Sequence, residues 1–158
     1  MSPQKNLSIK EGDNAPKFSL KSHRGEKIQL SDFHGKYVVL YFYPKDDTPG
    51  CTIEAKEFRD LSQKFESKNA VVLGVSPDSL ESHCAFADKY SLGFHLLSDE
   101  NHEIAERYDA WGEKNMYGKI TYGIIRSTFL IGPDGKIVKV WKKVNPEGHA
   151  QKVLESIP

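Results

Sequence analysis

The segment Pro44-Lys45-Asp46-Asp47-Thr48-Pro49-Gly50-Cys51 gathers the residues of this chain best suited to chemistry. Thr48 suits the N-cap of a helix and Pro49 its first position. The spacing therefore predicts Cys51 in the first helical turn, where unpaired backbone N–H groups and the positive end of the helix dipole stabilise a thiolate. At an ordinary pKa of about 8.5 only about 3% of a thiol is ionised at pH 7, against about 90% at a pKa near 6, a gain of roughly thirtyfold in nucleophile, and placement alone can supply much of that shift. The same residue also heads an apolar stripe, Cys51, Ala55, Phe58, Leu61 and Phe65, at helical spacing. A small, inert, buried thiol at the start of a core face accounts for that stripe equally well. Position and spacing leave both readings open.

The elements that must position this loop can be read from patterning. Tyr37 to Tyr43 is β-branched and aromatic at both parities, as in a strand buried on both faces, and Val71 to Val75 and Ser127 to Ile131 read the same way. The Cys51 helix lies between the first two of these. Asp78 and Glu81 resemble a capping box, and Leu80, Cys84 and Ala87 continue at helical spacing to about Tyr90, a second crossover helix. Asn101 can cap a shorter helix through Ile104, Ala105 and Tyr108. Gly132-Pro133-Asp134-Gly135 turns the Ser127 strand into another, Lys136 to Trp141, and Pro146 to Ile157 makes a terminal helix. Strands alternating with helices predict an α/β domain with a central mixed sheet and helices on both faces. A thioredoxin-like arrangement fits the order.

With 158 residues the chain is expected to form one domain, residues 1–158. Its 22 Lys and Arg balance 22 Asp and Glu, which removes the field that holds a polyanion, so no nucleic-acid partner is expected. The longest apolar run spans seven residues, Tyr37 to Tyr43, against the roughly 20 a spanning helix needs. Met1 to Lys10 carries no apolar signal segment. These features predict a cytoplasmic protein without a membrane partner, in which the Asn6-Leu7-Ser8 acceptor motif is silent and the two cysteines are chemical rather than part of a disulfide framework. Cys51 is followed by Thr52, Ile53 and Glu54, so the Cys-x-x-Cys of a thiol–disulfide oxidoreductase is missing. His83 and Cys84 diverge by about 100° on a helix and no other ligand spacing accompanies them, so no metal site is expected. Gly112 to Lys119 resembles a phosphate loop but fails its spacing and lacks its Ser or Thr. Trp111, Tyr117 and Tyr122, interleaved with Lys114 and Lys119, read as a loop packed near the active site.

Pro44, Thr48 and Cys51 match the Pro-x-x-x-Thr/Ser-x-x-Cys pattern of the peroxiredoxins. The longer runs YFYPKDDTPGCTIEAKEFRDL, GVSPDSLESH, LLSDE, RSTFLIGPDGK and NPEGHAQKVLE resemble the bacterioferritin-comigratory-protein, or peroxiredoxin Q, subfamily over nearly the whole chain. The resemblance implies a cysteine-based peroxidase for hydrogen peroxide and organic hydroperoxides that needs no metal, haem or flavin cofactor. It makes Cys51 the peroxidatic nucleophile, Thr48 the hydroxyl that orients the peroxide, Arg126 the cation that stabilises the thiolate, and Pro44 the shield against water. Without it, Arg126 reads as a surface charge beside a strand. Some members of the subfamily carry a second cysteine five positions after the first, but here that residue is Lys56. Others carry it on the next helix, which makes Cys84 the resolving thiol, with thioredoxin or a similar dithiol as reductant. A packed, structural Cys84 is the alternative. The resemblance further implies a monomer; a peroxide sensor relaying oxidation to a partner protein is the competing functional reading.

Overall fold

The computed structural model describes residues 9–158, so Asn6-Leu7-Ser8 and most of the polar tail lie outside the described residues. The strands are β1 (Ser19–Ser22), β2 (Lys27–Gln29), β3 (Tyr37–Phe42), β4 (Ala70–Ser76), β5 (His95–Ser98), β6 (Trp111–Met116), β7 (Lys119–Ile124), β8 (Ser127–Ile131) and β9 (Ile137–Lys142). The helices are α1 (Pro49–Asp60), α2 (Ser62–Ser67), α3 (Leu80–Tyr90), α4 (Glu103–Arg107) and α5 (His149–Glu155).

Seven strands form one mixed sheet in the order β2-β1-β5-β4-β3-β8-β9. β3 runs parallel to β4 and antiparallel to β8, and β4 runs parallel to β5. The alternating side chains of β3 explain its unbroken apolar run. Val39, Tyr41 and Tyr43 face one core, which holds α1, α2, α3 and α5, while Val38, Leu40 and Phe42 face the other, which holds α4 and Tyr108. Successive parallel strands joined by right-handed crossovers place α1 and α3 side by side on one face. On that face Gly74 of β4 makes room for the Tyr41 ring, from which a Cβ would lie 3.0 Å.

The expected α/β sheet with helices on both faces is present, with local differences. The Cys51 helix ends at Asp60 and resumes as α2 after a turn at Leu61, so its stripe is carried by two helices. Ser79, not Asp78, caps α3, its hydroxyl accepting from the Ser82 N–H at 3.1 Å, because Asp78 is drawn toward Asp46 and Ser76. Asp99, not Asn101, serves α4, its carboxylate accepting from the Ile104 and Ala105 N–H groups. The Gly132 to Gly135 turn forms, with Gly135 at φ +83° donating its N–H to Gly132. Gly112 to Lys119 belongs to a two-stranded ribbon of β6 and β7 rather than a loop.

Candidate active site

Thr48 has the extended backbone of an N-cap and Pro49 occupies the first turn, as the spacing predicts, and Cys51 follows there, 1% exposed. Cys51 thus heads the apolar stripe and also stands in the first turn of α1. Its sulfur is packed into the core cluster at the head of α1, and it accepts a hydrogen bond from Arg126 Nη2 at 3.4 Å. Arg126 is therefore no free surface charge. It lies at the β7–β8 junction, its carbonyl accepting from the Val144 N–H at 3.0 Å, and its other terminal nitrogen donates to Glu54 Oε1 at 2.7 Å. Burial opposes the guanidinium charge, but Glu54 and the Cys51 sulfur outweigh it and hold its pKa above the ordinary value.

Glu54 escaped the sequence reading, although it falls three residues after Cys51 on the same helical face and its side chain is fully buried. Burial pushes its pKa up to about 7 despite the opposing pull of Arg126. Its Oε2 and the Tyr41 hydroxyl are the buried side-chain polar atoms without a partner among the described residues. Burial first, then Glu54 and Cys51, keep the Tyr41 phenol well above its usual pKa, so it stays protonated beneath the site.

The Thr48 hydroxyl does not cap α1. It donates to the Lys45 carbonyl at 2.8 Å, which leaves its oxygen lone pairs free to accept. Pro44 and Arg126 lie at one end of a cleft of about 490 Å³ whose other walls include Glu113, Lys114 and Asn115 of β6 and Val144. The aromatic residues expected to pack near the site do not do so: Tyr117 and Tyr122 are exposed and Trp111 stacks on His102, and of the aromatic and basic residues named from the sequence Lys114 alone lines this cleft. Burial first and Arg126 second lower the Lys114 pKa, which reflects how closely this wall approaches the arginine.

Cys84 is not in an inward stripe. The buried residues of α3 are His83, Phe86 and Ala87, while Cys84 is exposed and its S–H donates to the His23 carbonyl at 3.2 Å. On the opposite flank of α3, Ser82 and His83 bond Asp46, and Lys89 and Tyr90 bond Asp47. Cys84 therefore points away from the Cys51 loop. Both thiols are free. His83, Asp46 and Asp78 bring ligand atoms within 4.8 Å of one another, a grouping the sequence spacing does not reveal, but hydrogen bonds among these residues and their neighbours occupy the atoms. His149, bonded to Thr128 at 2.8 Å, is held neutral with a pKa of about 4, by burial first and then by Lys152 and Arg126, and anchors α5.

Gly50 sets the reach of Arg126. A Cβ on it would lie 3.2 Å from Arg126 Nη2 and 3.4 Å from the Pro146 ring, so Gly50→Ala displaces the guanidinium from the sulfur. The expected result is a roughly tenfold slower reaction with hydrogen peroxide, while alanine's higher helix propensity keeps thermal stability from falling. Stopped-flow rates and melting curves measured together check both halves. Equal rates would show that Arg126 relaxes freely.

A mixed sheet with helices on both faces, carrying a buried thiol in the first turn of a helix with a guanidinium on its sulfur, is the arrangement of a thioredoxin-like thiol protein. Residues 11–140 match the AhpC/TSA family model. The chain is 48% identical over 151 residues to peroxiredoxin Bcp of Bacillus subtilis, covering 96% of each chain, and 46% identical to peroxiredoxin Bcp of Escherichia coli, covering 92% of this chain and 94% of that one. It superposes on Xanthomonas campestris bacterioferritin comigratory protein, a structure concerned with alkyl peroxide reduction, with a TM-score of 0.85 at 43% identity over 89% of both chains. The chain belongs to the AhpC/TSA family, as a peroxiredoxin of the Bcp or peroxiredoxin Q type, and is a thiol peroxidase.

Proposed function

We propose that Cys51 is the nucleophile for hydrogen peroxide and small organic hydroperoxides, that Cys84 resolves it, and that thioredoxin or a similar dithiol recycles the enzyme as a cytoplasmic monomer. The observation that carries this reading is the 3.4 Å contact between Arg126 Nη2 and Cys51 Sγ. The peroxide enters past Pro44, and the Thr48 oxygen accepts its O–H, turning the far oxygen toward the sulfur. The Cys51 thiolate attacks that oxygen, the O–O bond breaks, and the departing oxygen leaves as water or alcohol after taking a proton, while sulfur becomes sulfenic acid. Arg126 and the backbone N–H groups of Gly50 and Cys51 stabilise the charge moving onto the leaving oxygen. Next, the Cys84 thiolate attacks the sulfenic sulfur, the S–O bond breaks, and hydroxide departs as water, leaving a disulfide. Disulfide geometry needs Cα atoms within about 7 Å, so the first turns of α1 and α3 must unwind for the exposed, averted Cys84 to arrive.

Intact mass after one equivalent of hydrogen peroxide on reduced protein tests the whole sequence, with Cys51→Ser and Cys84→Ser variants beside it. A loss of about 2 mass units that needs both cysteines supports the two-cysteine cycle, and no change within seconds refutes the role of Cys51. The exposure of Cys84 on the far side of α3 favours a second reading, a sensor that hands oxidation to a partner protein. In that case the mass rises by about 16 units and thioredoxin does not restore the protein efficiently.

A further inference from the structure

Asp46 stands in the pocket loop between Pro44 and Thr48, yet it is only 7% exposed. Three donors converge on its carboxylate: the Tyr43 hydroxyl at 2.5 Å on Oδ1, and the Ser82 hydroxyl at 2.8 Å and His83 Nδ1 at 2.7 Å on Oδ2. The other ring nitrogen, Nε2, donates to the Leu97 carbonyl at 3.0 Å. The fully buried ring is thus held between the Asp46 carboxylate and the Leu97 carbonyl. The loop is also tied through its backbone, where the Asp46 N–H donates to Asp78 Oδ2 at 2.8 Å. Ser82 and His83 lie in the first turn of α3, immediately before Cys84.

We propose that Asp46 is a positioning residue whose carboxylate couples the peroxide pocket to helix α3. Bound by Ser82 and His83, it holds the Pro44–Thr48 loop in the shape that receives peroxide. Released by them, it lets the start of α3 unwind and frees Cys84. The two conditions exclude one another, because unwinding α3 strips the carboxylate of its Ser82 and His83 hydrogen bonds and leaves it buried with the Tyr43 hydroxyl alone, which opposes the opening. The coupling therefore sets how long the Cys51 sulfenic acid waits. This inference rests on the reading of Cys84 as the resolving thiol.

Two substitutions of one residue separate the coupling from general loosening. His83→Asn keeps a donor where Nδ1 stands, facing Asp46, whereas His83→Gln keeps one only where Nε2 stands, facing Leu97. With hydrogen peroxide in stopped flow and mass analysis of quenched samples, the Gln variant is expected to form sulfenic acid about threefold more slowly but the disulfide about tenfold faster, the scale of one lost buried hydrogen bond to a charged group. The Asn variant stays within about twofold of the unsubstituted protein in both steps, and Ser82→Ala shifts both in the Gln direction by less. Opposite signs in the two steps are what destabilisation alone does not produce. Gln and Asn variants that behave alike, or both steps slowing together in the Gln variant, would overturn the coupling. Should the unsubstituted protein gain about 16 mass units instead, the resolving role of Cys84 fails by itself, and amide exchange across residues 80–90 decides the latch. Faster exchange in the Gln variant alone sustains it; equal exchange in both removes it.

Discussion

Arg126→Met is expected to lower the second-order rate constant for hydrogen peroxide by about a hundredfold to a thousandfold at pH 7, the scale seen when a preorganised charge donor is removed from a reacting centre. Two effects combine in that loss. The Cys51 sulfur loses its donor at 3.4 Å, and the charge moving onto the leaving oxygen loses its cation. The fold should survive, because Glu54, deprived of its partner at 2.7 Å, can keep its proton and remain buried as a neutral acid. Arg126→Lys restores charge without the two-pronged reach to Cys51 and Glu54, so it should recover only part of the rate. Stopped-flow rates and urea unfolding measured on the same preparations separate reactivity from stability. A loss below about fivefold in the Met variant would assign the thiolate's stabilisation to the backbone of α1.

Glu54→Gln is expected to change how stability depends on pH. A carboxyl that ionises near 4.5 in the unfolded chain but near 7 in the fold binds its proton more tightly when folded, so its contribution to stability falls as pH rises through that window. Below the window the neutral acid is at home. Above it a charge must be kept in the core beside Arg126, at a cost on the order of 3 kcal/mol. The Gln variant lacks this titration while its amide oxygen still accepts from Arg126. Urea midpoints at pH 5, 6, 7 and 8 should therefore converge at the acid end and separate in favour of the variant at the alkaline end. Parallel curves would mean that the Arg126 pair holds Glu54 ionised throughout.

Much of the frame was legible because patterning and covalent geometry act locally. The unbroken apolar run of β3 announces a central strand, and Thr48-Pro49 announces where the Cys51 helix begins. The path of the Arg126 side chain was not legible from its own surroundings. A charge next to a strand carries no signal of the sulfur it reaches across the fold, and only the family resemblance supplied it. Glu54 was missed for a related reason: an acidic residue on a helix reads as solvated unless a cation from elsewhere in the chain accompanies it inward. Cys84 was placed on the wrong face because Leu80, Cys84 and Ala87 fit helical spacing. The helix is instead rotated to bury His83 toward Asp46, a partner 37 residues earlier that periodicity cannot see.

The ribbon of β6 and β7 shares no strand pairing with the seven-stranded sheet, yet Glu113, Lys114 and Asn115 on it wall the cleft that leads to Arg126. The thiol and its buried acid are rooted in α1 and Arg126 follows closely on β7, whereas β6 carries one wall of the cleft from outside the large sheet. Lengthening, trimming or recolouring that wall would retune which hydroperoxides fit, with the sheet's registers left untouched, so this scaffold can diversify its clientele without renegotiating its chemistry.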